Sequence, residues 1–212
     1  MGNNGAGGGV GHWVARSFGL TFDYRCPFAR LVHDHVVEGL RGGADWDVKF
    51  LPFCLGQAHV EEGYPDVWDA PDTDSGLLAL QAAISVRDMQ SNAFIDVHQA
   101  LFEHRHTNGG SLRDRGVLTQ VLERSGADAA AVFADIDSGR TLGVVRDEHT
   151  RYVTSHSVWG TPTFVVKDSA IFVRLLDHSH GDTHVARRTI DRILDDIEWP
   201  ILNEFKHTVV PM

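Results

Sequence analysis

The residues of this chain best suited to chemistry are a cysteine at a helix start, a second cysteine, and a surplus of histidines. The stretch Cys26-Pro27-Phe28-Ala29 comes first. It lies where a β-rich segment gives way to a helical one. Proline is favoured at the first helical position because its missing N–H would be unpaired there anyway. Cys26 therefore reads as the N-cap, with its sulfur against free backbone N–H groups and the positive end of the helix dipole. A thiol so placed is shifted toward the thiolate, the nucleophilic form. The competing reading is a buried cysteine kept as a small apolar residue. A dithiol redox pair would need a second cysteine at position 29, and Ala29 stands there. A mixed disulfide at Cys26 would then be resolved by an external thiol or by Cys54, the only other cysteine. A bridge between the two needs Cα atoms within about 7 Å.

The chain has 13 histidines. In Asp177-His178-Ser179-His180-Gly181-Asp182-Thr183-His184, three of them and Asp182 could form a metal site. The spacing matches no standard zinc motif, and the segment also reads as a turn ending in an Asp or Thr helix cap. No metal is assigned. His104 and His106 suit a helix C-terminus. His149 and His156 read as partly buried on a helical face, and His33 and His35 as structural. Arg25 would add positive charge beside Cys26 if it points inward. Trp159 and Phe28 could wall a substrate cleft, although Phe28 reads better as core packing.

These residues need elements to position them. Ser17 to Tyr24 alternates as a strand, with Phe18, Leu20 and Phe22 on one side and Thr21 and Asp23 on the other. Pro27 to Leu40 carries apolar residues at helical spacing and stops at Gly42-Gly43. Trp46 to Leu51 reads as a second strand, which predicts a right-handed parallel βαβ unit. Helices are predicted over Leu77–Met89, Ala93–Phe102, Gly116–Leu122 and Leu142–Val153. Thr163–Val166 and Ala170–Leu175 then predict a hairpin. Thr183–Trp199 is a final amphipathic helix.

The order β, α, β, helices, β, β, α places the chain in the α/β class, with a helical insertion between the second and third strands. With 212 residues, 42% hydrophobic, the chain can bury a real core. We expect a Gly-rich arm over 1–14 and one domain over 15–212. Its core halves are 15–58 and 157–199, the insertion is 60–156, and a tail covers 200–212. A formal net charge of -10 argues against nucleic-acid and anionic-membrane partners, which would repel it. No run of about 18 apolar residues predicts a transmembrane helix. The start of the chain lacks the charged and apolar regions of a signal peptide. Two cysteines do not make a disulfide scaffold, and a reducing, cytoplasmic compartment is expected.

The element order, with Cys-Pro at the first strand-to-helix junction, resembles the DsbA-like version of the thioredoxin fold. Trp159-Gly160-Thr161-Pro162-Thr163-Phe164 strengthens the resemblance. Members of that family carry a cis-proline loop before the third strand, often Gly-Thr-Pro-Thr or Gly-Val-Pro-Thr. The resemblance implies that Pro162 is the cis-proline, that Thr161 lies against Cys26, and that the Thr161 backbone pairs with substrate. Leu51-Pro52-Phe53-Cys54-Leu55-Gly56 is similar to a segment of kappa-class glutathione transferases and 2-hydroxychromene-2-carboxylate isomerases. Those DsbA-related enzymes use glutathione and usually carry serine where this chain has Cys26.

Three functions follow from the resemblance. The first is a monothiol oxidoreductase or thiol transferase. In it Cys26 is the nucleophile, Pro27, Trp159, Thr161 and Pro162 bind substrate, and Cys54 is a candidate resolving residue. The second is a kappa-type isomerase or transferase, in which residue 26 orients a bound glutathione. The third is a binding module that kept the fold and lost the chemistry. No tightly bound cofactor is expected. Glutathione or an equivalent thiol would be the cosubstrate, the partner a small-molecule or thiol substrate, and a homodimer the base-rate expectation for the assembly.

Overall fold

The computed structural model describes residues 15–202 and Glu204. The arm over 1–14 and most of the tail lie outside the described residues. The order is β1 (Arg16–Phe22), α1 (Pro27–Arg41), β2 (Trp46–Pro52), a short α2 (Leu55–Ala58), then α3 (Leu77–Met89), α4 (Ser91–His106), α5 (Arg115–Arg124), α6 (Ala129–Asp137) and α7 (Arg140–His156). The hairpin β3 (Thr163–Val166) and β4 (Ser169–Phe172) follows, then α8 (Thr183–Glu198). The sheet runs β2-β1-β3-β4. β1 and β2 are parallel from Arg16↔Trp46 to Phe22↔Pro52. β3 is antiparallel to both β1 and β4. This is the expected α/β thioredoxin-like sheet, with α3 to α7 inserted between β2 and β3.

β1 is central, so both its faces are covered. Phe18, Leu20 and Phe22 are buried on one side, and Thr21 and Asp23 are buried as well. Phe18 meets Phe164 at 5.6 Å and Trp46 at 6.2 Å between ring centroids. The helices α1 and α8 pack together. α8 buries Ala186, Ile190, Leu194 and Ile197, one stripe at helical spacing. Its first turn is capped by Asp182, whose carboxylate accepts from the N–H groups of His184 and Val185. The cap reading of the histidine-rich turn therefore holds.

The ends of β1 and β4 differ from the sequence reading, and so does the number of helices in the insertion. β1 stops at Phe22 rather than Tyr24, because the Asp23 carboxylate turns the chain by accepting from the Arg25 N–H at 2.9 Å. β4 stops at Phe172 rather than Leu175. Its partner β3 begins only at Thr163, after a proline with no N–H to offer. The helix α6 was not expected at all. Its Ala-rich start carries little apolar stripe, yet Asp128 caps it through the Ala131 N–H at 3.0 Å. No helix among the described residues is long and apolar enough to cross a membrane.

A buried polar chain ties the insertion to the core. Tyr24, His33 and His98 are all buried, and they are enclosed by Phe22, Phe50, Phe94 and Phe102. The Thr21 carbonyl can only accept, so His33 carries its proton on Nε2 and donates to it at 3.2 Å. His33 Nδ1 must then accept from His98 Nε2 at 2.9 Å, and His98 Nδ1 accepts from the Tyr24 hydroxyl at 2.8 Å. One tautomer set satisfies every link with both rings neutral. Burial pushes His33 down to about 3 and His98 well below the usual histidine range.

Acid should therefore weaken the fold. Below about pH 6.5 the unfolded chain takes up protons that the folded histidines refuse. His149, pushed by burial down to about 4, adds to the effect. Stability is then full above pH 6.5 and falls steadily toward pH 4. By pH 5 each such histidine should contribute a loss of about 2 kcal/mol. Urea unfolding midpoints at pH 7 and pH 5 measure this, and an unchanged midpoint would contradict it.

Candidate active site

Parallel strands end on the same edge of a sheet, and that edge gathers the site. The Phe53 N–H donates to the Phe22 carbonyl at 2.9 Å, so the segments after β1 and β2 leave side by side. β3, running the other way, starts there. The Thr21 hydroxyl donates to the Gly160 carbonyl at 3.2 Å and accepts from the Thr163 N–H at 2.8 Å, which fixes the loop between them. The Thr161–Pro162 peptide in this loop is cis.

Cys26 is the N-cap of α1, and Pro27 occupies the first turn. The Cys26 Sγ accepts from the Ala29 N–H at 3.4 Å and donates to the Thr161 carbonyl at 3.2 Å. The sulfur thus sits between a helix start and the cis-proline loop. Cys26 is 8% exposed and Pro27 beside it is exposed. Ala29 is fully buried, so the position a second motif thiol would fill is a methyl group in the core.

Arg25 does point inward, yet its charge is spent. Its guanidinium grips the buried Asp23 through Nε at 3.0 Å and Nη2 at 2.6 Å, and reaches Asp74 with Nη1 at 2.8 Å. The Asp23 carboxylate also accepts from the Leu55 N–H at 2.8 Å. Asp74 caps the entry to α3 by accepting from the N–H groups of Gly76 and Leu77. The network is packed too tightly for side chains at two glycines. A Cβ on Gly76 would lie 2.6 Å from Arg25 Nε, and one on Gly56 would lie 1.8 Å from Asp74 Oδ2. This Asp–Arg–Asp group joins the ends of β1 and β2 to the insertion. Sequence reading missed its acids, although a charged residue closing a central strand was a signal.

Cys54 is fully buried, and both cysteines are free thiols. Burial pushes the Cys54 thiol up to about 11, with Asp74 and Asp23 adding to the effect against the opposing pulls of the Gln57 backbone N–H and of Arg25. Its N–H donates to His149 Nδ1 at 3.2 Å, and the His149 ring packs against Phe53 and Trp68. Trp159 is 67% exposed and packs at a tilt against Phe172 with centroids 4.5 Å apart. Phe28 is half-buried against the core.

The histidine-rich turn does not converge on a point. His178 Nδ1 pairs with Asp34, His180 with Asp177 at 3.0 Å, and His184 opens α8. Among the described residues no three His, Cys, Asp or Glu side chains are gathered as metal ligands would be. His156 bonds the Lys167 carbonyl.

Comparison with known proteins agrees with this fold. The chain is 24% identical over 151 residues to the uncharacterized protein Rv2286c of Mycobacterium tuberculosis, covering 71% of this chain and 64% of that one. The chain thus spans just under two thirds of that relative's length. Among solved structures it is similar to a cytosolic disulfide reductase, DsbM, from Pseudomonas aeruginosa determined with GSH. That match has a TM-score of 0.58, 14% identity, and 84% and 99% of the two chains covered. A probable DsbA oxidoreductase of Streptomyces coelicolor matches with a TM-score of 0.59 and 12% identity, over 89% and 93%. A 2-hydroxychromene-2-carboxylate isomerase matches with 0.58 and 14%, over 84% and 96%. The model of the DSBA-like thioredoxin domain matches residues 20–179, spanning Cys26, the insertion and the cis-proline loop, and the chain belongs to that family.

Proposed function

We propose that this protein is a monothiol thiol-disulfide oxidoreductase or thiol transferase with Cys26 as its nucleophile. The Cys26 thiolate attacks one sulfur of a disulfide. A new S–S bond forms at Cys26, the old one breaks, and the released thiolate takes a proton. An external low-molecular-weight thiol, glutathione or an equivalent, then attacks the mixed disulfide. That attack releases the second half of the substrate as a thiol and leaves the external thiol joined to Cys26. A second external thiol attacks this adduct, departs with the first as their disulfide and returns Cys26 as the thiolate. Two external thiols are oxidised for each substrate disulfide reduced.

The observation that carries this reading is the setting of the Cys26 sulfur. It is held between the α1 start and the Thr161 carbonyl, with a buried Ala29 where a motif partner would be. Cys54 is a poor resolver: it is fully buried, and its thiol is pushed up to about 11. The Thr161-Pro162 backbone and the exposed Pro27 and Trp159 offer the surface on which substrate would lie. A reducing compartment suits a chain with two free thiols.

Resolution by an external thiol has a direct test. Turnover of a disulfide substrate should rise in proportion to added glutathione at low concentration, and Cys54→Ser should retain that turnover. Loss of turnover in a folded Cys54→Ser protein would contradict external resolution and restore Cys54 as the resolving thiol.

A further inference from the structure

Arg174 stands beside the site with no acidic partner among the described residues. Its guanidinium carbon lies 4.9 Å from the centre of the Phe28 ring and 5.9 Å from that of Phe172. Phe28 is two residues past Cys26 in the first turn of α1, and Phe172 packs against Trp159. The neighbouring Val173 N–H donates to the Pro162 carbonyl at 3.1 Å. Arg174 therefore spans the two arms that hold the Cys26 sulfur, the helix start and the cis-proline loop.

Two aromatic contacts fix a guanidinium by its flat face and leave its N–H edges free. Those edges are shaped for a carboxylate, which they bind through two parallel hydrogen bonds. No carboxylate of the described residues lies within 4.0 Å of Arg174, whereas Arg25 is neutralised by Asp23 and Asp74. An exposed cation with no carboxylate partner among the described residues, in a chain of net charge -10, is a local reversal of sign at the mouth of the site.

We infer that Arg174 selects the thiol partner of Cys26: it binds the carboxylate of an anionic low-molecular-weight thiol and aligns that thiol's sulfur with Cys26. The inference rests on the proposed thiol chemistry and names the substrate class for it.

The test uses the full chain and three disulfide probes: glutathione disulfide (anionic), bis(2-hydroxyethyl) disulfide (neutral) and cystamine (cationic). The rate of mixed-disulfide formation at Cys26 is followed by mass spectrometry for the parent protein, Arg174→Gln and Arg174→Glu. Arg174→Gln should slow glutathione disulfide about fivefold and leave the neutral probe unchanged. Arg174→Glu should slow it further and speed cystamine. An equal loss with all three probes would reduce Arg174 to a packing role and overturn the inference. Unchanged rates with all three would overturn it as well. If the parent protein forms no adduct with any probe, the nucleophile reading itself has failed, and the inference falls with it.

Discussion

Cys26→Ser should reduce thiol-disulfide turnover to the rate of the uncatalysed exchange while leaving the fold intact. The hydroxyl of serine is not ionised near neutral pH and cannot form the mixed disulfide through which each cycle passes. Serine is nearly isosteric with cysteine and is itself a good N-cap, so the Ala29 N–H keeps an acceptor. Stability therefore separates from activity in this variant. Retained turnover would assign the nucleophilic sulfur to a bound cosubstrate, as in the kappa-type reading.

Arg25→Ala should be among the most destabilising surface-to-core changes in the chain, at about 3–5 kcal/mol. The substitution strands two buried carboxylates, Asp23 and Asp74, whose side chains are 0% and 4% exposed. Their remaining partners are backbone N–H groups, which stay in place but carry no full positive charge. The loss should be smaller when Asp23→Asn and Asp74→Asn accompany it, since neutral amides cost less to bury than unpaired charges. Chemical denaturation of the single and triple variants measures the difference. A loss below about 1 kcal/mol for Arg25→Ala would mean that water replaces the guanidinium and that the group is not structural.

Much of this architecture is legible in the sequence. The β1-α1-β2 unit, the hairpin and α8 announce themselves through periodicity, because each buries one face or stripe. Cys26 as N-cap follows from Pro27, since proline has few other places in a helix. What was hidden depends on distance in sequence. Asp74 lies 49 residues from Arg25, and nothing local to either predicts that they meet. Nothing in the sequence around His98 marks it until α4 packs on α1 and places its ring nitrogen 2.9 Å from that of His33. The helix α6 escaped because the apolar stripe was the guide and an alanine run has little of one. The role of Arg174 was equally silent, as its two ring contacts join residues from opposite ends of the chain.

The central claim is that Cys26 alone carries the disulfide chemistry and that an outside thiol completes it. The most direct measurement is peptide-mapped mass spectrometry of the reduced protein after brief exposure to glutathione disulfide, with and without later addition of reduced glutathione. The account predicts one glutathione adduct, on the peptide holding Cys26, with Cys54 unmodified and the adduct removed by the added thiol. An internal Cys26–Cys54 disulfide, or an adduct on Cys54 with Cys26 untouched, would contradict it.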